Sequence, residues 1–368
     1  MATDNIGPVA AERVARVMKA REAPDKFARV TRSMFVSGGP DAPLVTTRVV
    51  PVERVVDGVR RHDYEIRVDI DGARLGARSA PPPMKARVVT DRIADVTAHE
   101  RLLSAFVPEH LSVQPRPLLK AKPRFRMPAR LRPGVKYETT VFDPDGRSEF
   151  RDTSYPWSAF GRCETNLGPF SGVMVGPRHL LTCNHGIDWT PPPGFDADWL
   201  TFTPGYFDGD APFGSTYATL TYVVKKNNNN GVSDGDEGQF DYAVCVLNDR
   251  IGESTGWLGA RRYTDGWDGS AVWWHIGYPG DLSSFERPTW QSGIALDGHD
   301  SQDDTHQEIL HKGDVKPGQS GGAVFGFWDG DVGPRAVAVQ SWQNDDTNGA
   351  SGGGDLVDLI IRARNENP

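Results

Sequence analysis

Residues 313–323 read GDVKPGQSGGA, a glycine-rich turn that holds one serine, Ser320, and leads into the apolar segment 324–327. Glycines on both sides of a serine allow unusual backbone dihedral angles and leave room for another molecule to approach. In such a turn the N–H groups of Gly318 and Ser320 can converge on one point and stabilise a negative charge. The alternative is a β-turn whose serine is only a cap, because short glycine motifs recur by chance. A histidine and an aspartate upstream would decide between the two interpretations.

Two upstream segments carry these residue types. Residues 176–185 read GPRHLLTCNH, a strand followed by a turn that ends in His185. Residues 239–244 read QFDYAV, with Asp241 at the start of an apolar strand. A neutral imidazole can take the proton of a serine hydroxyl, and a buried carboxylate fixes the imidazole tautomer. Because His, Asp, Ser is a known chain order for such a triad, the sequence predicts catalysis by His185, Asp241 and Ser320.

The composition favours a globular chain with many short strands. The 368 residues include 40 glycines and 28 prolines, and the length suits two domains or one large domain with an appendage. From about residue 139 onward, helical periodicity nearly vanishes and short apolar runs alternate with Gly, Pro and Asn. This pattern predicts antiparallel β-barrels followed by a C-terminal helix over residues 356–363. The runs include residues 171–176, 242–247, 271–274 and 336–339.

Residues 1–138 have a different character and form a predicted N-terminal region before a predicted domain of residues 139–368. Their patterns indicate a mixed α/β region, with apolar positions at helical spacing in some stretches and alternating in others. Residues 113–133 are rich in proline and basic side chains, which suits an extended linker. The predicted elements are helices over 8–22 and from Thr90, and strands over 44–56 and 64–70.

The formal charge of −8 hides a sharp split along the chain. Residues 1–138 hold 26 Lys and Arg against 16 Asp and Glu, a net charge of +10, and the remainder holds 15 against 33, a net charge of −18. Opposite charges predict that the N-terminal region docks on the acidic domain, as a pro-region or as a permanent accessory domain. Nucleic-acid binding is disfavoured because the basic residues are scattered and lack interleaved aromatic residues.

Several other classes of protein and site are disfavoured. No run of about 18 apolar residues is present, so no membrane span is predicted, and residues 1–23 lack the apolar core of a secretory signal. Cys163, Cys183 and Cys245 have apolar or small neighbours, which predicts buried free thiols. No metal or other cofactor is expected, because two acidic loops do not follow the spacing of a calcium-binding loop. The loops are residues 227–239 and 297–307.

Three segments resemble the signature blocks of chymotrypsin-like serine peptidases, namely LTCNH at 181–185, FDYAV at 240–244 and GQSGG at 318–322. The resemblance implies two six-stranded antiparallel β-barrels with the site between them, a protein or peptide substrate, and secretion. It implies that His185 is the general base, that Asp241 orients it and that Ser320 is the nucleophile. The N–H groups of Gly318 and Ser320 would then bind the oxyanion.

Further segments are similar to the bacterial glutamyl-endopeptidase branch of that family. They are VFDPDGR at 141–147, YPW at 155–157, GYPGD at 277–281 and WQSG at 290–293. For residues 1–138 no resemblance is found. The resemblance therefore covers the chain from about residue 139 to its end.

Departures from the family pattern concern specificity and activation. Asp314 stands six residues before Ser320, where trypsins bind arginine or lysine, which predicts cleavage after a basic residue. The alternative is that Asp314 is a turn cap next to Gly313. Cleavage after glutamate is the alternative, and Gln340 counts against it, because it stands where glutamyl endopeptidases carry a carboxylate-binding histidine and adds no positive charge. Gln319 replaces the aspartate that in digestive trypsins pairs with a freed N-terminal amine, so activation by that ion pair is not expected. The predicted substrate-binding residues are Asp314, Gln340, Ser341 and Trp342.

The resemblance and the charge split together predict a serine endopeptidase that is made as a precursor. Lys136 and Glu138 are candidate cleavage positions at the end of the N-terminal region. The alternative function is a catalytically silent relative that binds peptides or a partner protein in the same cleft.

Overall fold

The computed structural model describes most of the chain beyond residue 140 and shorter stretches before it. The described residues are 7–14, 45–56, 59–70, 81–91, 103–118, 141–142, 144–229, 231–232, 235–298, 305–343 and 346–368. They fall into two units, Arg29–Ala80 and a larger unit of Met1–Ala28 with Pro81–Pro368. Most of the two predicted N-terminal helices and of the predicted linker lie outside the described residues. The predicted boundary between residues 138 and 139 also lies there and stays a prediction.

The smaller unit contains a β-hairpin. Its strands are β1 (Val45–Val56) and β2 (Val59–Ile70), which pair antiparallel from Val45 with Ile70 to Val56 with Val59. Both strands are rich in β-branched residues, which favour the extended backbone. The two strands predicted in this region are confirmed.

The larger unit consists of short strands with few helices in its described part. Its α-helices are α1 (Gly235–Gly238), α2 (Gly252–Thr255), α3 (Gly280–Ser283) and α4 (Gly354–Glu366). Its strands are β3 (Lys85–Val88), β4 (Ser148–Glu149), β5 (Phe160–Thr165), β6 (Gly168–Met174), β7 (His179–Thr182), β8 (Thr201–Pro204), β9 (Thr216–Val223), β10 (Ala243–Leu247), β11 (Gly259–Ala260), β12 (Trp273–Gly277), β13 (Thr289–Ile294), β14 (Leu296–Asp297), β15 (Gln307–His311), β16 (Ala323–Gly326), β17 (Arg335–Gln343) and β18 (Asn348–Gly352).

The first sheet of the larger unit closes into a six-stranded barrel. Its hydrogen-bonded order is β10-β7-β6-β5-β8-β9, and β10 pairs with β9 to close it. Every residue of β7 and of β10 is buried. The sequence of β10, AVCVL, is apolar throughout, whereas β7, HLLT, also buries His179 and Thr182. Strand β3, from the N-terminal region, pairs parallel with β9 and adds a seventh strand to this sheet.

The second sheet curls into a half-barrel. Its strand order is β14-β15-β18-β17-β16-β12-β13-β4, and β11 pairs with β17. Aromatic side chains of the two sheets meet between them, since the ring centroids of Phe160 and Phe325 lie 5.1 Å apart. The predicted all-β, chymotrypsin-like architecture is confirmed, although the second sheet is a curled half-barrel rather than a closed six-stranded one.

Helix α4 ends the chain and covers the first barrel. It begins after Gly353, whose φ of 104° is accessible mainly to glycine. Leu356, Leu359 and Ile360 are fully buried and pack with the barrel core. The predicted C-terminal helix is confirmed and extends beyond its predicted bounds of 356–363.

Within the larger unit, the described segments that precede residue 119 pack against both sheets. Met84 is fully buried and its N–H donates to Ala197 O at 2.8 Å. The Phe106 ring stacks on Trp257 with centroids 4.3 Å apart. These contacts are mainly apolar and backbone contacts, and the ion pair between Arg13 and Asp329 is about half-exposed and therefore weak.

Other predictions concern cysteines, membranes and metals. Cys163, Cys183 and Cys245 are free and buried, as predicted. Within the described ranges, no helix combines the length and apolar character needed to span a membrane. The same residues contain no group of three or more His, Cys, Asp or Glu placed to hold a metal ion. The middle of the acidic loop 297–307 lies outside them.

Candidate active site

Strand pairing brings His185 and Asp241 together. Strands β7 and β10 are antiparallel, with Thr182 opposite Ala243. The end of β7 therefore lies beside the start of β10. His185 stands three residues after β7 and Asp241 two residues before β10, so both reach the same end of the barrel.

Asp241 is buried and fully hydrogen-bonded, with 1% of its side chain exposed. Its Oδ1 accepts the backbone N–H groups of Asn184 at 3.0 Å and of His185 at 2.8 Å. Its Oδ2 lies 2.6 Å from His185 Nδ1 and accepts the Ser341 hydroxyl at 2.6 Å. Four donors offset the cost of burying this carboxylate.

The His185 imidazole is oriented by Asp241 and is 19% exposed. Because Nδ1–H donates to Asp241, the neutral ring has a bare Nε2 that can accept a proton. Burial acts to lower the pKa of His185, but the Asp241 charge and hydrogen bond outweigh it and hold the pKa well above its ordinary value. Cys183 Sγ lies 3.9 Å from Nε2, a contact that the sequence did not predict.

Ser320 approaches the site from the second sheet, in the turn before β16. Its carbonyl accepts the Ser171 N–H of β6 at 2.9 Å, which ties the turn to the first barrel. The residue is half-buried. Within the described part of the chain its hydroxyl makes no hydrogen bond, to His185 Nε2 or to another group. Such bonds are often long in enzymes without substrate and tighten in the reacting complex.

The backbone of the serine turn directs two N–H groups away from protein partners. Pro317 O accepts the Gly280 N–H at 2.8 Å, and Gln319 O accepts the Gly322 N–H at 3.0 Å. C=O and N–H point in opposite directions across a planar trans peptide. The N–H groups of Gly318 and Ser320 therefore point away from Gly280 and Gly322. Among the described residues neither N–H donates to a protein group.

The conformation of this turn requires glycine at position 318. Gly318 has a φ of 96°. A side chain there would collide with Tyr278 O and the Phe285 ring. The glycine thus allows the backbone conformation that the predicted oxyanion hole needs.

Asp314 is 2% exposed, and both of its carboxylate oxygens are engaged. Oδ1 accepts the Phe142 N–H at 2.7 Å, and Oδ2 accepts the Gly146 N–H at 2.7 Å. Gln291 Nε2 also donates to Oδ2 at 2.9 Å. The carboxylate therefore anchors residues 142–146 and is satisfied without a basic substrate side chain.

Gln340 is fully buried and its amide is saturated. Gly313 N–H donates to His311 Nδ1 at 3.1 Å, so His311 carries its proton on Nε2 and donates to Gln340 Oε1 at 2.8 Å. Gln340 Nε2 donates to Trp342 O at 2.9 Å and to Gly349 O at 3.2 Å. Burial lowers the pKa of His311 to about 4, which keeps the ring neutral. In this arrangement Gln340 has no free donor for a substrate carboxylate.

Ser341 and Trp342 lie near the end of β17, where the register with β18 is irregular. The Ser341 side chain contacts Asp241 rather than facing a substrate. Trp342 is half-buried. The structure thus joins Ser341 to His185 and Asp241, while Asp314 and Gln340 are held by other protein groups.

Two residues that support the site were not identified from the sequence. Ser171 Oγ donates to Gly318 O at 2.7 Å and accepts the Tyr278 N–H at 2.9 Å. Arg147 Nη1 donates to Gln319 Oε1 at 2.9 Å. Arg147 lies in the segment 141–147, and the resemblance of this segment to glutamyl endopeptidases could have indicated its importance. Nothing in the sequence around Ser171 indicated the role of Ser171.

Comparisons with known proteins support the fold and the enzyme class. No protein-family model matches the chain. A glutamyl endopeptidase of Bacillus licheniformis is 28% identical over 238 residues, which cover 64% of this chain and 68% of that protein. The chain is similar to the chymotrypsin-like serine peptidases in sequence and fold. A solved structure of a Glu endopeptidase has the same fold, with a TM-score of 0.50 and 21% identity over 62% of this chain and 100% of that one.

This similarity to serine peptidases indicates the reaction class of the chain. The chain is a serine endopeptidase, a hydrolase that acts on proteins or peptides. In the described residues, His185 and Asp241 are hydrogen-bonded at one end of the first barrel, and the Ser320 carbonyl ties the serine turn of the second sheet to that barrel.

Proposed function

We propose that this endopeptidase cleaves peptide bonds through His185, Asp241 and Ser320. The observation that carries the proposal is the position of Asp241 Oδ2, 2.6 Å from His185 Nδ1, which leaves Nε2 as the proton acceptor. His185 is the general base, Asp241 orients it and stabilises the imidazolium, and Ser320 is the nucleophile. The N–H groups of Gly318 and Ser320 form the oxyanion hole.

The reaction proceeds in two halves through an acyl-enzyme. Ser320 Oγ bonds to the scissile carbonyl carbon while its proton passes to His185 Nε2, and the carbonyl oxygen becomes an oxyanion. The C–N bond then breaks and the leaving amine takes the proton from His185. Water attacks the resulting ester with His185 again as base, and the ester bond to Ser320 breaks. The product acid leaves and Ser320 regains its proton.

The test is labelling by a fluorophosphonate probe together with peptide hydrolysis. Wild-type protein is expected to react on Ser320, and Ser320→Ala and His185→Ala to lose both labelling and hydrolysis. His110→Ala, which removes an exposed histidine bonded to Ser254 O, is the matched control and should keep both. Absence of labelling and hydrolysis in folded wild type would overturn the proposal and favour the silent peptide-binding alternative.

For the residue before the scissile bond, we propose glutamate rather than arginine or lysine. The Asp314 carboxylate already accepts three hydrogen bonds and is buried, so it is not placed to pair with a basic side chain. The Bacillus licheniformis relative is named a glutamyl endopeptidase. Fluorogenic peptides that differ only in this residue test the proposal. A higher kcat/KM for the arginine or lysine peptide would refute it.

We propose in addition that the chain is a precursor cut after Lys136 or Glu138. The charge split between residues 1–138 and the remainder supports an N-terminal region that docks on the peptidase. N-terminal sequencing of the active species tests this proposal. Fully active protein that retains Met1 would refute it.

A further inference from the structure

Arg147 is a buried arginine whose five N–H donors are all engaged. Its side chain is 1% exposed. Nε and Nη2 donate to Asp145 at 3.1 and 2.8 Å, and Nη1 and Nη2 donate to Asp281 at 3.1 and 2.7 Å. The fifth donor, on Nη1, points at Gln319 Oε1 at 2.9 Å. A guanidinium group has five N–H donors in a fixed plane, so this geometry locks the arginine and each of its partners.

The Gln319 side chain is held in one orientation. Its Oε1 accepts from Arg147 and also from the Lys316 N–H at 3.0 Å. Because both partners are donors, the amide oxygen must face them, and Nε2 then lies 3.4 Å from His275 Nδ1. His275 is buried, and this burial lowers its pKa to about 3, so its ring is neutral at neutral pH.

Gln319 stands between the two residues whose N–H groups form the proposed oxyanion hole. Arg147 also reaches the other side of the turn, because its partner Asp281 follows Gly280, whose N–H holds Pro317 O at 2.8 Å. The same guanidinium group therefore fixes both the side chain of residue 319 and the segment that holds the peptide before Gly318.

We propose that Arg147 is a positioning residue that orders the oxyanion turn, residues 316–320, through Gln319, in place of a freed chain-terminal amine. The inference rests on the proposed function. It adds to that function the statement that the oxyanion hole forms without cleavage of the chain. Cutting after residue 136 or 138 would then not be needed to order the turn, which would already be ordered in the intact chain.

A simpler explanation is that Arg147 only forms buried ion pairs that stabilise the fold. Arg287 provides a matched control for this explanation. Its side chain is 2% exposed and pairs with Asp208 at 2.8 Å and Glu149 at 2.9 Å. Its hydrogen bonds to these two carboxylates do not involve the oxyanion turn. Loss of either arginine removes a buried, doubly paired cation, and only Arg147 contacts Gln319.

The first experiment compares full-length Arg147→Gln and Arg287→Gln with wild type at equal folded fractions. It measures kcat/KM on a peptide amide and the affinity for a peptide aldehyde. In the aldehyde complex Ser320 Oγ adds to the carbonyl carbon, its proton passes to His185, and the new oxyanion occupies the hole. A product peptide, which does not need the hole, measures binding in the ground state.

Arg147→Gln is expected to lower kcat/KM by about 10²–10³-fold, the usual effect of losing one oxyanion donor. Aldehyde affinity should fall in parallel, with product-peptide affinity kept. Arg147→Lys should recover part of the aldehyde affinity because it retains a cation. Arg287→Gln should match wild type in all three readouts. Equal effects of Arg147→Gln and Arg287→Gln on aldehyde affinity would overturn the proposal.

The second experiment remains informative if Arg147→Gln fails to fold. Wild-type full-length chain, verified as intact by mass spectrometry, is treated with a fluorophosphonate probe. Labelling of the intact chain on Ser320 is expected. Labelling only of chains cut before residue 141 would overturn the inference while leaving the peptidase function in place. If neither intact nor cut chains react or hydrolyse peptides, the proposed function itself fails.

Discussion

The Ser341 hydroxyl lies 2.6 Å from Asp241 Oδ2, the same oxygen that faces His185 Nδ1. Ser341 belongs to β17 of the second sheet, whereas His185 and Asp241 flank strands of the first barrel. The orientation of the base therefore depends on both sheets. This contact explains how a site between two separately paired sheets can keep one geometry.

Ser341→Ala is expected to lower kcat/KM by roughly tenfold, because a hydrogen bond to a charged group contributes about 1.5–3 kcal/mol. Asp241 would keep its bond to His185 but would be less firmly held. Steady-state kinetics check the prediction. Ser158→Ala, which removes another buried hydroxyl bonded to Thr255 O, is the control and should leave kcat/KM unchanged. Equal kinetic effects of the two variants would contradict a role for Ser341 in the triad.

The pH dependence of kcat/KM should report the raised pKa of His185. The base must be neutral to accept a proton, so activity is lost as pH falls through this pKa, which Asp241 holds above the ordinary value of 6.5. Asp241→Asn should move the acidic limb to lower pH and reduce kcat by about 10⁴-fold, as a wrong tautomer is then favoured. A wild-type limb centred below pH 6.5 would contradict the assignment.

Asp314→Asn is expected to destabilise the fold and leave specificity unchanged. An amide at this position turns one acceptor oxygen into a donor that faces other N–H groups, at a cost of about 1–3 kcal/mol. Urea unfolding gives the stability change. The kcat/KM ratio for peptides ending in arginine and glutamate should stay at the wild-type value. A selective loss of activity on the arginine peptide would show instead that Asp314 binds the substrate side chain.

The proposed triad could be inferred from the sequence because each of its members lies in a short local string. His185 follows an apolar strand, Asp241 precedes one, and Ser320 is flanked by glycines. Strand pairing then brings the first two together without further information. The closed first barrel and the C-terminal helix follow equally from apolar patterns that repeat along the sequence.

The roles of Asp314 and Gln340 could not be read from sequence because their partners come from distant segments. Asp314 binds the N–H groups of Phe142 and Gly146, more than 160 residues away, and Gln340 binds His311. Hydrogen bonds from backbone N–H groups do not depend on residue type, so the sequence does not reveal them. A family position therefore suggests which side chain faces the site, and only the packing shows whether that side chain is already engaged.

Buried neutral histidines should make the fold sensitive to acid. Burial lowers the pKa of His179 to about 4, against an ordinary value of 6.5. Stability from this group is present above pH 6.5 and is lost as pH falls toward 4, since the unfolded chain binds the proton first. His179→Gln should reduce the pH slope of the unfolding free energy by up to about 1.4 kcal/mol per pH unit in that window. Urea unfolding at several pH values checks this, and the slopes of variant and wild type should coincide above pH 7.

The N-terminal region should remain bound after the chain is cut between residues 119 and 140. Strand β3 pairs with β9 along its whole length, and Met84 is fully buried against the first barrel. Limited proteolysis followed by size-exclusion chromatography should give two fragments that elute together in buffer and separate in urea. Met84→Ala removes buried apolar volume and should reduce the stability of the complex by about 2–5 kcal/mol. It should therefore lower the urea concentration at which the two fragments separate. Separate elution of the wild-type fragments in buffer would show that these contacts do not hold the region, and β3 would then be a removable strand.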